Sequence, residues 1–462
     1  MKLTRRLSLV LAVILVLGVF TNAKTISVWL PGHSNEEMSI IREVTETTFT
    51  SKTGISVDYT NLSWGDFENR FLMAAASGEA PDVGGAGALF IPELGLRGAL
   101  VDLTTMPGFN EVYNRSYPAF YRSLQYKNVT FGVPYTATVS TAFQRDDILN
   151  DIGIKSISTW DELRQVLPKL QAKNSNFALQ WFLTDTLYAD VNMFMWQRGA
   201  DDYNDDLTKS GYDDPEAITA FTDYVELYTK YNIPKEMPHF QAFINGDLAM
   251  LIQYPNFYQN LTYSAPQLAG KWSMVQAPGY IIDGKLNNTT TGGGSALGIF
   301  NSSKNKNEAW EYIKWITDAD TQITFSNRIM NQIKGTMFLP SNRGAISSVS
   351  ISKDAAATFE SALNVCTSSV YGLVAPRNRR RYLQMAAQKV ILQGIDPEKA
   401  IREAANEHNE EIRRKQVEYD RFIKRLINKY QEKKKELTLT LVPFLLKEIF
   451  KARKTVFGEV MN

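Results

Sequence analysis

The residues available for chemistry are few in kind. The chain has one cysteine, Cys366, so an intramolecular disulfide and any Cys-cluster zinc or iron–sulfur site are excluded. Its three histidines, His33, His239 and His408, are too widely spaced to suggest a His-rich metal centre. There is no Gly-x-Ser-x-Gly nucleophile elbow and no His-Glu-x-x-His. Gly84-Gly85-Ala86-Gly87 could cradle a phosphate at a helix N-terminus, but it matches neither nucleotide-binding glycine pattern. Its expected role is to let a ligand approach the backbone closely. Carboxylates are plentiful, yet nothing singles out the flanking pair that a glycoside hydrolase needs. A secreted hydrolase is therefore a lesser reading, and no cofactor or metal motif is present. Aromatic side chains are abundant instead: 8 Trp, 21 Tyr and 24 Phe, far too many for a solvated, disordered chain.

These side chains need elements to hold them. A length of 462 residues suggests two or three domains with ample core. With 50 Lys/Arg against 49 Asp/Glu, the chain is not a generally basic nucleic-acid binder. The balance hides an asymmetry, because residues 413–462 carry 14 Lys/Arg and 6 Asp/Glu, leaving 36 against 43 in the body. At the N-terminus, Lys2, Arg5 and Arg6 precede an apolar stretch from Leu7 to Phe20, and Thr21-Asn22-Ala23 places small residues for cleavage before Lys24. This pattern predicts a secretory signal peptide over 1–23. An uncleaved anchor is the alternative, disfavoured because the apolar stretch is shorter than the ~20 residues of a span. No cysteine follows the cleavage site to carry a lipid.

Thr25–Leu30 and Thr53–Tyr59 read as strands, Glu36–Ser51 and Phe67–Ala76 as helices, and Thr159-Trp160-Asp161-Glu162 as a capping box opening another helix. Strands alternating with helices predict an α/β body with mainly parallel sheets. Trp29, Trp160, Trp272, Trp310 and Trp315 fit core positions. Asp82, after Pro81, fits a structural cap, and Cys366 a small core residue.

Several segments together resemble the extracellular solute-binding proteins of bacterial ABC importers, in particular the sugar-binding family that includes maltose-binding protein. They are Ser77–Val83, Gly98–Leu103, Phe131–Tyr135, Thr159–Leu163, Phe243–Met250, Lys271–Gly279, Gly292–Gly294, Ser303–Trp310 and Leu339-Pro340. Each is weak alone, but their order and spacing are specific, and the resemblance covers about 24–412. It implies two α/β lobes of the periplasmic-binding-protein fold with a ligand cleft between them. Lobe one would be 24–134 with 277–325 and lobe two 139–272 with 340–412, with crossings near 134–138, 273–277 and 326–339. It also implies a carbohydrate ligand, transmembrane permease subunits as partners, hinge closure on binding and a monomer outside the cytoplasmic membrane.

A pyranose shows hydroxyls at its edge and C–H groups on its faces, so a sugar site needs flat aromatic surfaces and planar polar groups. By position in the family pattern, the candidate ligand contacts are Trp64, Tyr135, Trp181, Trp196, Tyr254, Gly293, Arg343 and Tyr382, with His33 at the turn after the first strand. Asn256 stands where many relatives have a stacking Trp, so a platform is missing unless Tyr254 or Phe257 replaces it. Arg379-Arg380-Arg381 is either a solvated helix face or a source of positive charge at the cleft. An Arg-lined cleft would suit a sugar acid or glycerophosphodiester, and an acidic one a polyamine. Relatives end near 412, whereas here 413–462 follows as a basic amphipathic extension. It is suited to an anionic membrane surface, with a helix packed back on the body or a partly disordered tail as the alternative.

Overall fold

The computed structural model describes residues 24–181, 188–421 and 424, so the predicted leader 1–23 and the extension beyond 424 lie outside the described residues. Nine strands build two principal sheets: β1 (Thr25–Pro31), β2 (Ser56–Leu62), β3 (Val83–Gly87), β4 (Val133–Pro134), β5 (Thr141–Arg145), β6 (Asn176–Ala178), β7 (Leu248–Gln253), β8 (Trp272–Val275) and β9 (Ser295–Ile299). The first sheet has the order β2-β1-β3-β9-β4 and the second β8-β5-β7-β6. Each sheet carries apolar clusters on both faces. Ile26, Val28, Trp310 and Phe325 pack on one face of the first, and Phe71, Phe90 and Leu94 on the other. Trp160, Phe194 and Tyr224 pack on one face of the second, and Phe243, Phe257 and Phe359 on the other. This is the two-lobed periplasmic-binding-protein fold.

Local sequence explains the first lobe's start. Ile26, Val28 and Leu30 alternate inward along β1. Ser34 and Glu37 form the capping box that opens helix Asn35–Val44. The expected helix over 36–51 is interrupted by a π-helical turn, Thr45–Thr50. Five residues beyond Val44, a regular helix would rotate Phe49 about 140° away from the buried face. The wider turn brings it back, and Phe49 is buried between Tyr312 and Trp315.

The expectation of mainly parallel sheets holds only for β2-β1-β3 and for β6 beside β7. Strand β9 runs antiparallel to β3 and β4, and β5 antiparallel to β7 and β8. The reason is connectivity: β9 and β5 arrive from the opposite lobe and enter their sheets from the far end. Trp160 and Trp310 are fully buried; Trp29, Trp272 and Trp315 are partly buried against the clusters. Asp82 is structural, accepting hydrogen bonds from the Ser27 amide and hydroxyl, from Ser303 and from Asn305. Gly84 and Gly85 are needed for packing, since a Cβ on Gly84 would fall 2.7 Å from Phe300 and one on Gly85 2.9 Å from Leu30.

The chain passes between sheets after Pro134, after Val275 and after Phe338. The second return comes later than the sequence suggests, because Ala277 and Tyr280 pack with Trp160 in the second lobe and the first sheet is regained only at Ser295. The crossings pair with one another: Thr138-Val139 with Gly292-Gly293, and Thr136 with Pro340. Gln322, fully buried, donates to the Tyr135 carbonyl (2.7 Å) and accepts from the Asn342 amide (2.9 Å). Ser341 donates to the Pro134 carbonyl at 2.8 Å. Gly294 has φ +143°, and a Cβ there would lie 1.9 Å from the Thr136 carbonyl oxygen. Among the described residues no helix is long and apolar enough to cross a membrane.

Replacing Gln322 by Leu leaves a buried carbonyl and a buried amide without partners, each costing about 1–3 kcal/mol. Thermal unfolding of Q322L should show a loss of about 2–4 kcal/mol, while a Gln-to-Glu change at an exposed helix position should show almost none.

Candidate functional site

The crossings floor a cleft with walls from both lobes. Its larger cavity, about 690 Å³, is bounded by His33, Glu37 and Trp64 from the first lobe and by Trp181, Tyr254 and Asn256 from the second, with Thr136–Thr138 and Phe338 at the floor. A second cavity of about 310 Å³ shares Thr138, Tyr254 and Gly294 with it and adds Glu68, Phe90, Trp196, Gly293 and Arg380. Among the described residues no cluster of His, Cys, Asp or Glu could hold a metal ion.

Each wall has a local cause. Trp64 follows β2 and lies across the Pro31-Gly32 turn, so closely that a Cβ on Gly32 would overlap its Nε1 at 1.8 Å. Phe67 braces it edge-to-face at 5.3 Å. The indole is 51% exposed, a large platform open to solvent in the cavity wall. Trp181 and Tyr254 meet edge-to-face at 6.0 Å. Below them Asp190, buried in the helix Tyr188–Gln197, accepts a hydrogen bond from the Trp181 amide at 3.0 Å. Burial pushes the Asp190 carboxyl up to about 7, against backbone hydrogen bonds from Trp181 and Gln180 that lower it. Burial alone would raise Glu37, but hydrogen bonds from His33 and from Ser34 outweigh it and hold this acid below its ordinary range.

Trp196 is 8% exposed, and its Nε1 donates to Asp201 at 3.1 Å. Asp201 also pairs with Arg122, which in turn bonds Thr367. Burial and the neighbouring Asp202 raise the Asp201 carboxyl, with Arg122 acting the other way.

The sequence therefore brings His33, Trp64, Trp181, Tyr254 and Asn256 to one cavity and Trp196 and Gly293 to the adjoining one. Three candidates lie elsewhere. Tyr135 is buried behind the cavity wall, edge-on to His33 and Phe338. Its side chain is out of reach because the crossing backbone itself, Thr136 onward, forms the floor. Arg343 is exposed on a loop where its amide donates to the Arg115 carbonyl. Tyr382 is buried in the second lobe's core beside His408. Phe257 is buried against Phe143, so of the two possible replacements for the missing Trp only Tyr254 lines the cleft.

The arginine run divides, because successive helical residues turn by about 100°. Arg379 is buried against Asp202 (2.5 Å), Arg380 lines the smaller cavity and Arg381 is exposed. Sequence reasoning missed Glu37 and Glu68 as cleft residues and offered Arg380 only as one of the three arginines. Glu37 caps its own helix, and its turn toward the cavity follows from the Pro31–Ser34 bend.

Two α/β lobes joined by paired crossings, with aromatic side chains of both lobes lining one cleft, define a protein built to enclose a solute. The chain belongs to the bacterial extracellular solute-binding proteins, whose family profile matches residues 32–323. It is 23% identical over 348 residues to a Brucella abortus protein named as a binding protein, covering 71% of this chain and 79% of that one. It is 23% identical over 266 residues to a maltotriose-binding protein of Pyrococcus abyssi, covering 54% of each. Its fold is similar to that of the sugar-binding protein of Xanthomonas citri, with a TM-score of 0.75 at 20% identity over 86% of this chain and 99% of that one.

Asp190 supplies a pH test. A carboxyl raised from 3.8 to about 7 in the folded state contributes stability that is present below pH 3.8 and lost as pH rises through about 7. Asp190→Asn should therefore flatten the stability–pH curve between those limits relative to the unaltered protein, measured by denaturant unfolding across pH.

Proposed function

We propose that this chain is the extracytoplasmic binding component of an ABC importer and that its solute is a carbohydrate, an oligosaccharide rather than a single sugar. The observation that carries this reading is the set of aromatic walls from both lobes, Trp64 facing Trp181 and Tyr254, with Trp196 beyond. Planar polar groups stand between them: Glu37, Asn256, Glu68 and Arg380. Rings supply surface for pyranose faces, and carboxylates, amide and guanidinium can each meet two hydroxyls. Two joined cavities leave room for more than one sugar unit. The maltotriose-binding relative supports the same class of solute.

Capture needs no chemistry on this reading. Solute contacts available only when both lobes engage favour closure, and the closed form delivers the solute to permease subunits. On this reading the segment 1–23 is a secretion leader, the protein works outside the cytoplasmic membrane, and it acts as a monomer. The basic residues of 413–462 add an electrostatic reason for it to stay near an anionic surface.

Arg380 in the smaller cavity favours one second reading, a solute with a phosphate or carboxylate at one end. Thermal unfolding of the mature chain with neutral oligosaccharides, sugar acids, glycerophosphodiesters and polyamines separates the two. A solute at 100 times its Kd should stabilise the fold by about 2.7 kcal/mol. A shift with a neutral oligosaccharide supports the sugar reading; a shift confined to anions transfers the assignment to Arg380. With the stabilising solute in hand, W64A and Y254A should each weaken binding about tenfold by calorimetry, with unchanged melting of the solute-free protein.

A further inference from the structure

The last helix of the described chain runs without a break over 397–421, which at 1.5 Å per residue is about 37 Å. It was expected to end near 412, with the extension a separate element. Its two ends belong to different lobes. Ala400, Ile401, Ala404, Ala405 and Ile412 are buried in the second lobe's core with Trp160 and Phe194. His408 stacks on Tyr212 and bonds Ser210, whose amide donates to Asn409 at 2.8 Å. Seven residues beyond Ile412, Tyr419 packs against the first lobe's cluster, edge-to-face with Tyr126 at 5.9 Å. Tyr126 belongs to the hairpin Gln125–Thr130, and the same cluster holds Phe71, Phe90 and Leu94 of the first lobe.

Beside this contact lies a crevice of about 470 Å³ between the first lobe's helix Ile91–Leu96 and the 397–421 helix. Glu93 and Arg97 line one side, Lys415 and Glu418 the other. Each side pairs within itself, Arg97 with Glu93 at 2.9 Å and Lys415 with Glu418 at 2.7 Å. Each side thus carries one acid and one base, so approach of the two surfaces meets no net like-charge barrier.

We propose that the 397–421 helix is a strap between the lobes. Rooted in the second lobe and touching the first through Tyr419, it favours the arrangement in which both lobes wall one cavity. A lobe rotation that opens the cleft must slide Tyr126 past Tyr419 or break the contact, because a helix anchored along four turns does not bend to follow. The strap thus adds to closure without touching solute, and apparent affinity scales with the closed fraction. The inference rests on lobe closure alone and not on the identity of the solute.

The test uses the mature full-length chain with spin labels on cysteines introduced at Lys52 and Lys169, exposed positions on opposite lobes. Cys366 is buried and does not label. Pulsed dipolar spectroscopy of the solute-free protein should show Tyr419→Ala shifted to longer lobe separations, with Tyr419→Phe retaining the parent distribution. Tyr126→Ala tests the same contact from the other lobe, should Y419A fail to fold. Titration with maltotriose should then show Y419A binding about three- to tenfold more weakly, through a faster off-rate. Parent-like distance distributions for both alanine variants, or shorter separations, overturn the strap. Failure of maltotriose to bind the parent chain counts against the sugar reading, and the distance measurement still decides the strap.

Discussion

Where a chain leaves one sheet for another, its backbone amides and carbonyls lose their ladder partners and must find others. That constraint governs this protein. The three passages between lobes lie side by side and satisfy one another, partly as short ladders and partly through side chains placed for the purpose. Gln322 spans from Tyr135 to Asn342, and Ser341 reaches Pro134. Because the seam is satisfied internally, it is both the floor of the cleft and its hinge. A few dihedrals there can change while each lobe keeps its own packed core.

The cleft inherits its character from that floor. Residues leaving the ends of β1, β2 and β7 have nowhere to go but toward the opposite lobe. The aromatics at those ends therefore line the gap: Trp64 after β2, Tyr254 after β7. Their orientation is set by what lies behind them. Trp64 rests on a turn without a side chain, and Trp181 hangs by its amide from a buried carboxyl. Rigid flat surfaces of this kind lose little conformational entropy when a ring stacks on them, which suits reversible capture better than long flexible side chains would.

The fold was legible because its signals are periodic and ordered. Alternation in β1, the capping box at Thr159, and the sequence of family segments each have a local or linear cause. The site was legible in part, and the division has a physical reason. Residues just past strand ends, such as Trp64, Tyr254 and Asn256, have positions fixed by the strand, and they fell in the cleft. Residues on long helices have an azimuth that the sequence fixes only relative to its neighbours. Thus Arg379, Arg380 and Tyr382 were placed in the right helix while the face pointing to the cleft was Arg380's. Strand direction was misjudged for the same sort of reason: it depends on which lobe the chain arrives from, and no local pattern records that.

The crossing at Gly292 has one more chemical consequence. A Cβ there would lie 2.3 Å from the Cys366 sulfur, so the chain's only thiol is sealed beneath hinge backbone. Burial pushes it up to about 12. Thiolate, the form that oxidants and other disulfides attack, is scarcely formed at neutral pH. Burial and a low thiolate fraction together make this lone cysteine a poor partner for disulfide exchange while the hinge backbone covers it.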